Sequence, residues 1–329
     1  MKAPLPRSSS TSWSLTLERR ASTMYELPKR RCLVHKPVEL RNLNKALQER
    51  DIATLDFHWQ VKYDGCCTIA VVKDGEVSFF TREANAVKSL DHIAEVMKNC
   101  PDGVYFGEAW APDMEFSQIS GLFRRQASSE ETAVLRFVLF DSVTVPEFEA
   151  GTSDEPFERR WVRVLDIYAA LASGFGAGRV MLASGALGGT EHFRLLDEKV
   201  KSLQSQGLWE TDGYIAKERA GCWQAGAGKG GETVKVKDHM SVDLRCVGLE
   251  EGQGKFAGMV GSLICEYKGQ RLKVGGGRLT TLERETIWYE PQLLVGKIVE
   301  VHGLKGSTFD LIREPRFQRI RHDKTEPSE

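Results

Sequence analysis

Charged residues at the ends of otherwise apolar strands constrain the fold of this chain more than any other feature. The first is the run Lys62-Tyr63-Asp64-Gly65, which closes an apolar segment beginning at Phe57. The others follow in chain order: Glu108, Phe140-Asp141, Asp212-Gly213 with Lys217, and Lys235 with Lys237. A buried charge costs several kcal/mol unless it is paired or faces a polar cleft. We therefore expect one shared cleft to collect these strand ends.

Length and composition narrow the class of protein. The chain has 329 residues, which is too long for one small core and fits two domains. Its formal net charge of -1 predicts no overall attraction to nucleic acid, so any DNA or RNA contact requires local basic patches. The seven cysteines contain no Cys-x-x-Cys pair, which argues against a zinc site and a secreted disulfide framework. No apolar run approaches the roughly 20 residues of a membrane span.

Apolar periodicity predicts the elements of the first two thirds of the chain. Alternating runs predict strands between Phe57 and Trp110, and Lys73-Asp74-Gly75 is typical of a hairpin turn. Helical spacing of apolar residues predicts helices at 156–172 and at about 195–206. The glycine-rich interval between these helices predicts loop around one short strand.

After Lys237 the chain changes to short strands and glycines, interrupted by one helix at about Thr280 to Tyr289. Five short strands and one helix in under a hundred residues are typical of a small Greek-key barrel of the OB type. We therefore place a domain boundary near Met240.

The charged residues suggest chemistry as well as a cleft. A protonated lysine is a poor nucleophile, and burial or nearby positive charge lowers its pKa. Lys235 and Lys237 project to one side of their strand, and we expect them to supply that charge to Lys62. Glu108 and Asp212 offer oxygen ligands that suit Mg2+ bridging substrate phosphates. Singly, each signal has a plainer explanation, such as a turn or a buried ion pair.

Taken in order, these segments resemble the ATP-dependent polynucleotide ligases of the covalent nucleotidyltransferase superfamily, especially the small DNA ligases of bacteriophages. The resemblance runs from about Phe57 to Lys324. It implies an α+β fold in which an antiparallel-sheet adenylation (nucleotidyltransferase) domain, residues 31–240, precedes an OB-fold barrel, residues 241–329. Residues 1–30 are then predicted to be a disordered tail.

The resemblance also implies roles for individual residues. Lys62 would attack the α-phosphate of ATP and form a lysyl-AMP phosphoramidate. Mg2+ or Mn2+ would be held by Glu108 and Asp212. The other cofactor contacts would be Gln60, Val61, Arg82, Glu108, Phe140, Lys217, Lys235, Lys237, Arg321 and Lys324. The DNA contacts would be Arg82, Lys255, Arg313, Arg316, Arg319 and Arg321.

The function implied is an ATP-dependent DNA ligase, a cytoplasmic monomer that seals nicks in duplex DNA and has no membrane contact. For a viral protein the location would be the host cytoplasm. A hinge near Met240 would let the barrel present Arg321 and Lys324 to the leaving pyrophosphate. An RNA ligase and an mRNA-capping nucleotidyltransferase use the same lysine chemistry and remain alternatives. A NAD-dependent ligase is disfavoured, because those proteins are much longer and carry a cysteine zinc module.

Three positions depart from the pattern of the family. Cys67 stands where the family has arginine, Asp212 replaces a glutamate, and Gln60 stands where many phage relatives have a glutamate that faces adenine. A thiol cannot make the forked contacts of a guanidinium. A nucleic-acid-binding relative with impaired catalysis is therefore a further alternative.

Overall fold

The computed structural model describes residues 24–39, 57–172, 178–187, 190–206, 211–227, 231–236, 239–304 and 312–328. Most of the predicted tail, residues 1–23, and Lys237 lie outside these ranges. Residues 24–30 were also assigned to the tail, but they contact the first domain. The Tyr25 N–H donates to Ser78 Oγ at 3.1 Å, and the Arg30 guanidinium donates to the Phe148 carbonyl at 2.6 Å. The packed part of the chain therefore begins before Arg31.

The first domain contains many short strands and five described helices. Its strands are β1 (His35–Lys36), β2 (Val38–Glu39), β3 (Phe57–Tyr63), β4 (Cys66–Lys73), β5 (Glu76–Thr81), β6 (Ala86–Val87), β7 (Gly103–Trp110), β8 (Arg136–Val143), β9 (Thr152–Ser153), β10 (Val180–Leu182), β11 (Gly185–Leu187), β12 (Thr211–Glu218), β13 (Trp223–Gln224), β14 (Gly226–Ala227) and β15 (Thr233–Val236). Its helices are α1 (Asp91–Met97), α2 (Phe116–Phe123), α3 (Val145–Ala150), α4 (Phe157–Ala172) and α5 (Thr190–Ser205).

Two sheets organise this domain. One has six strands in the order β10-β8-β7-β4-β5-β6, and the other has five in the order β11-β3-β12-β15-β2. Neighbouring strands are antiparallel except at the edges, where β10 runs parallel to β8 and β2 runs parallel to β15. The predicted α+β class with antiparallel sheets is therefore confirmed.

Both faces of the six-stranded sheet are covered, which explains why its central strands read as continuous apolar runs. Ala70 and Val72 of β4 pack into a core shared with α1 and α4. Ile69 and Val71 point to the opposite core, as the alternation of side chains along a strand requires. A third core joins Trp59 of β3 to residues of α5 and β8, so the two sheets face each other.

The second domain is a closed barrel. Its strands are β16 (His239–Glu251), β17 (Val260–Tyr267), β18 (Gln270–Gly275), β19 (Ile298–Leu304) and β20 (Arg313–Ile320). They close in the order β16-β17-β18-β20-β19, and the helix α6 (Thr281–Tyr289) follows β18. The barrel confirms the predicted OB architecture. Its first strand begins beside Met240, although the exact domain boundaries stay predictions.

Several elements differ from the sequence prediction. The segment predicted as loop around one strand contains both β10 and β11, and α5 begins at Thr190 rather than near Leu195. Helices α2 and α3 were not predicted. The signal for α3 was present, because Thr144 and Glu147 form a capping box at its start. Among the described helices, none is long and apolar enough to cross a membrane.

Candidate active site

A cleft of about 940 Å3 opens between the two sheets and reaches the barrel. The strand ends singled out by their charges meet there, as expected. The predicted site residues that line the cleft are Gln60, Val61, Lys62, Arg82, Glu108, Phe140, Asp212, Lys217, Lys235 and Arg313.

Lys62 lines the cleft, near the end of β3. Its Nζ lies 2.6 Å from Asp212 Oδ2, and 25% of its side chain is exposed. The pairing of β12 with β3 shifts register between Thr211 and Tyr214, and Gly213 there has a φ of 92°. Such a bulge re-aims a side chain, and its positive φ favours glycine. The Asp212-Gly213 pair thus turns the carboxylate toward Lys62.

The ionisation of Lys62 differs from the expectation. Burial lowers the pKa of Lys62, but the nearby carboxylates of Glu108 and Asp212 outweigh burial and raise it above its ordinary value. The positive charge of Lys235 is paired with Glu39 instead, because its Nζ lies 3.2 Å from Glu39 Oε1, its register partner across β15 and β2. Lys237 lies outside the described residues. In this arrangement the amine of Lys62 is protonated at neutral pH.

Glu108 faces the same centre from β7. Burial raises its pKa to about 7; the ammonium of Lys62 opposes this, and the carboxylates of Asp64 and Asp212 add to it. The glycine of the Lys62-Tyr63-Asp64-Gly65 run makes this approach possible. A Cβ at Gly65 would lie 2.4 Å from the carbonyl oxygen of Ala109 and 2.8 Å from Glu108 Cγ. A larger residue would therefore push the turn at Gly65 away from β7.

The two carboxylates fit a magnesium site that relies on its substrate. In the described part of the chain, no group of three His, Cys, Asp or Glu residues could hold a metal ion by itself. Mg2+ is commonly bound by one or two carboxylates, with phosphates and water completing the shell. Glu108 and Asp212 match that donor set.

One wall of the cleft is organised around a backbone carbonyl. The Phe140 carbonyl accepts a hydrogen bond from Gln60 Nε2 at 3.2 Å and another from Lys217 Nζ at 2.9 Å. The half-buried Phe140 ring lies 4.9 Å from the same ammonium. Gln60, Phe140 and Lys217 therefore form one side of the cleft together.

A buried ion cluster supports that wall from behind. Asp141 accepts hydrogen bonds from Arg160 Nε at 2.9 Å and from Lys217 Nζ at 3.2 Å. Burial raises the pKa of Asp141, but the two cations prevail and bring it to about 2. Burial lowers the pKa of Lys217 to about 8. The sequence analysis missed Arg160, whose signal was a charged residue within the apolar stripe of α4.

The predicted contacts at the end of the chain do not line the cleft. Arg321 Nη1 lies 2.8 Å from Asp243 Oδ2, and Lys324 Nζ lies 2.6 Å from the same oxygen. Arg319 is paired with Glu300 at 2.5 Å. Two other predicted DNA contacts, Lys255 and Arg316, are exposed on the barrel. Their roles toward ATP or DNA stay predictions.

Two neighbouring barrel residues of the described chain, Arg313 and Glu314, line the cleft. Both terminal nitrogens of Arg313 contact the carboxylate of Asp64, with Nη2 at 3.0 Å from Oδ1. Its guanidinium carbon also lies 5.7 Å from the centre of the Phe116 ring. The sequence analysis assigned Arg313 to DNA and gave Asp64 no partner. This pair joins the barrel to the turn that follows β3, and the role of Arg313 toward DNA stays a prediction.

Two further residues at the cleft, Cys67 and Arg82, differ in charge or pairing from what a phosphate site would require. Cys67 is the register partner of Glu108, and burial followed by the Glu108 charge raises the pKa of its thiol. It is therefore a neutral thiol at neutral pH and provides no positive charge. Arg82, at the rim, is paired with Glu83.

Comparison with known proteins agrees with the resemblance. Residues 251–321 match the family model of the DNA ligase OB-like domain. No curated protein sequence matches the chain significantly. A solved structure named Pmar-Lig_PreS3 covers 87% of this chain and 67% of its own, with a TM-score of 0.70 and 20% identity.

Two other solved structures match this chain over almost their whole length. A structure of the Lig E DNA ligases has a TM-score of 0.66 at 21% identity and covers 88% of this chain and 98% of its own. The ATP-dependent DNA ligase of bacteriophage T7, in complex with ATP, has a TM-score of 0.50 at 16% identity, with 88% and 98% covered. The chain therefore has the two-domain fold of the ATP-dependent DNA ligases, with a barrel that matches their OB-like domain.

Proposed function

We propose that this protein is an ATP-dependent DNA ligase, which seals 5′-phosphate/3′-hydroxyl nicks in duplex DNA through lysyl-AMP and DNA-adenylate. The observation that supports this most is the position of Lys62, which lines the cleft with its amine 2.6 Å from Asp212 and within the electrostatic influence of Glu108. That position occurs within the fold of the ATP-dependent DNA ligases. We further propose that it acts on nicked duplex DNA as a monomer in the cytoplasm.

In the first step, the formation of lysyl-AMP, each residue of the cleft has a separate role. The Lys62 ammonium releases one proton to water, and its amine attacks the α-phosphorus of ATP. An N–P bond forms while the bond to the pyrophosphate oxygen breaks, and the second proton of the nitrogen leaves with the pyrophosphate. Asp212 orients the amine through its 2.6 Å contact. The Phe140 ring and the Gln60 amide contact the adenine base. Bound Mg2+ or Mn2+, held by Glu108 and Asp212, would neutralise phosphate charge and the carboxylates that keep Lys62 protonated.

Two further transfers complete the reaction. AMP moves from Lys62 to the 5′-phosphate at the nick, and the 3′-hydroxyl then attacks that phosphorus as AMP leaves. Positioning and charge neutralisation supply most of the catalysis in phosphoryl transfers. We propose that Arg321 and Lys324 assist pyrophosphate release after the barrel rotates about a hinge near Met240 and these side chains leave Asp243.

Covalent labelling tests the proposal directly. With ATP labelled in its α-phosphate, the wild-type protein should carry the label through denaturing electrophoresis, and Lys62→Ala should carry none. Lys73→Ala is a matched control, because Lys73 also precedes an Asp-Gly turn but is exposed outside the cleft. Label on Lys62→Ala would remove Lys62 from its role, and an unlabelled wild-type protein would leave only a binding function.

The strand preference is tested with nicked substrates. A labelled wild-type protein should join a nicked DNA duplex and leave a nicked RNA duplex unjoined. Covalent attachment of GMP instead of AMP would favour a capping enzyme, and joining of RNA alone would favour an RNA ligase. Either result would contradict the proposed substrate.

A further inference from the structure

The predicted DNA surface on β20 is largely neutralised by acids of the protein itself. Arg313 is bound by Asp64, and Arg319 by Glu300. Arg124 differs from these residues. It is exposed at the cleft, and in the described ranges no carboxylate lies within ion-pairing distance of it. Among the arginines of the described ranges that line the cleft, Arg124 is therefore the one whose charge is not paired with an acid.

The backbone that carries Arg124 is firmly anchored. Arg124 caps the C-terminal end of α2, and its N–H donates to the carbonyls of Leu122 and Ser120. The Phe123 carbonyl accepts a hydrogen bond from the buried Ser89 hydroxyl at 2.8 Å, and the Phe123 side chain is itself buried. An anchored backbone reduces the entropy lost when the guanidinium is ordered by a ligand.

The two following residues add donors at the same place. Arg125 is paired with Glu131 at 2.5 Å, with half or more of each side chain exposed. Such exposed pairs contribute only about 0–1 kcal/mol, so a phosphate can replace Glu131 at low cost. Gln126 also lines the cleft, and its Nε2 donates to the Arg124 carbonyl at 3.2 Å. The three residues 124–126 thus form a short basic segment, called here the α2 end.

The α2 end could bind a phosphate of ATP or a phosphate of a nucleic-acid strand. Its distance from Phe140, on the side of the cleft proposed to bind the adenine base, distinguishes the two. The sheet order β8-β7-β4 places Phe140, Glu108 and Cys66 on successive strands. Helix α2 packs against β4 and β7, and its residues Ser120 and Phe123 line the cleft together with Arg124. Arg124 therefore lies toward the β4 side of the cleft, away from Phe140 on β8.

We infer that the α2 end, through Arg124, binds a backbone phosphate of the nucleic-acid strand that enters the cleft opposite ATP. This inference rests on the proposed function, because it takes the Phe140 side as the nucleotide side. A planar guanidinium binds phosphate through paired, charge-assisted hydrogen bonds. Contact to a backbone phosphate positions a strand without reading its bases. The α2 end would thus hold nicked duplexes of any sequence.

The test compares binding with self-labelling in the same variants. Arg124→Ala should weaken binding to a nicked DNA duplex about tenfold. It should also reduce the slope of log affinity against log salt by about 0.9, the value for one phosphate on duplex DNA. Arg124→Lys keeps the charge and should restore the slope. Arg159→Ala removes an exposed arginine outside the cleft and should change neither quantity.

The rate of lysyl-AMP formation shows whether Arg124 binds a phosphate of ATP or a phosphate of the nucleic acid. The inference expects Arg124→Ala to form lysyl-AMP at the wild-type rate. Slower labelling with an unchanged salt slope would assign Arg124 to the ATP phosphates and overturn the inference, as would an unchanged slope alone. If the wild-type protein forms no lysyl-AMP, the proposed function fails; the salt slope of Arg124→Ala on nicked duplex still decides whether this segment binds nucleic acid.

Discussion

The buried cluster of Asp141, Arg160 and Lys217 allows a sharp prediction about stability. It contains two cations and one anion, and each side chain is at least nine-tenths buried. Asp141→Asn would leave both cations without a counter-charge. Breaking a buried pair by removing one partner costs about 3–5 kcal/mol, so we expect a loss of that size in the free energy of unfolding.

Lys217→Met should behave differently, although it removes a partner from the same cluster. The hydrogen bonds from Arg160 to both oxygens of Asp141 remain. The pKa of Lys217, about 8 instead of 10.5, means that its charged form is disfavoured in the fold by about 3 kcal/mol. Methionine removes that penalty and has a similar volume. We therefore expect a change of within about 1 kcal/mol.

The pH dependence of stability provides a second signature. Asp141 has a folded pKa of about 2, below its ordinary value, so its contribution is present above about pH 4 and lost as the pH falls toward 2. Lys217 also has a lowered folded pKa, so the unfolded chain binds more protons between pH 8 and 10.5. Stability should rise with pH across that window in the wild-type protein and not in Lys217→Met.

Urea unfolding followed by tryptophan fluorescence measures these effects. Asp154→Asn is the matched control, because Asp154 is an exposed aspartate, and it should change stability by less than about 0.5 kcal/mol. A cost below about 1 kcal/mol for Asp141→Asn would refute the argument. So would a Lys217→Met variant as unstable as Asp141→Asn.

Other predictions concern the cleft. Asp212→Asn removes one of the carboxylates that raise the pKa of Lys62, so the pH profile of lysyl-AMP formation should move to lower pH; an unmoved profile would contradict this assignment. Gly107→Ala would place a Cβ 2.4 Å from the Phe137 ring and should cost about 1–3 kcal/mol in urea unfolding. Gln60→Leu removes an amide oxygen available to the adenine amino group, so labelling with ATP relative to GTP should fall about tenfold, and an unchanged ratio would exclude base contact.

Local patterns were sufficient for much of the fold. Strand β5 spans Glu76–Thr81, as its alternation and the preceding Asp-Gly turn indicate, and the apolar stripe of 157–172 gives α4. The barrel followed from the number and spacing of its short strands. Helix α2 was missed because its start depends on the reciprocal contacts of Glu115 and Gln118, which give a weaker signal than a Ser or Thr cap.

The electrostatics of the site could not be read from the sequence. Lys235 was expected to lower the pKa of Lys62, but the parallel register of β2 and β15 pairs it with Glu39. Arg313 and Asp64 are 249 positions apart in sequence, and no local pattern links them. The pairing of charged residues depends on strand register and on domain packing. Both are determined by contacts between segments that are distant in the sequence.

By raising the pKa of Lys62, the nearby carboxylates would also make it a poor nucleophile toward compounds other than its substrate. A fully protonated side chain has no lone pair to offer, so stray electrophiles such as aldehydes or acyl phosphates would modify it slowly. Lys62 would then become nucleophilic only when bound substrate neutralises the nearby carboxylates and lowers its pKa. A lysine whose pKa was lowered by neighbouring cations would instead carry a neutral amine at neutral pH. It would react with such electrophiles even in the absence of its substrate.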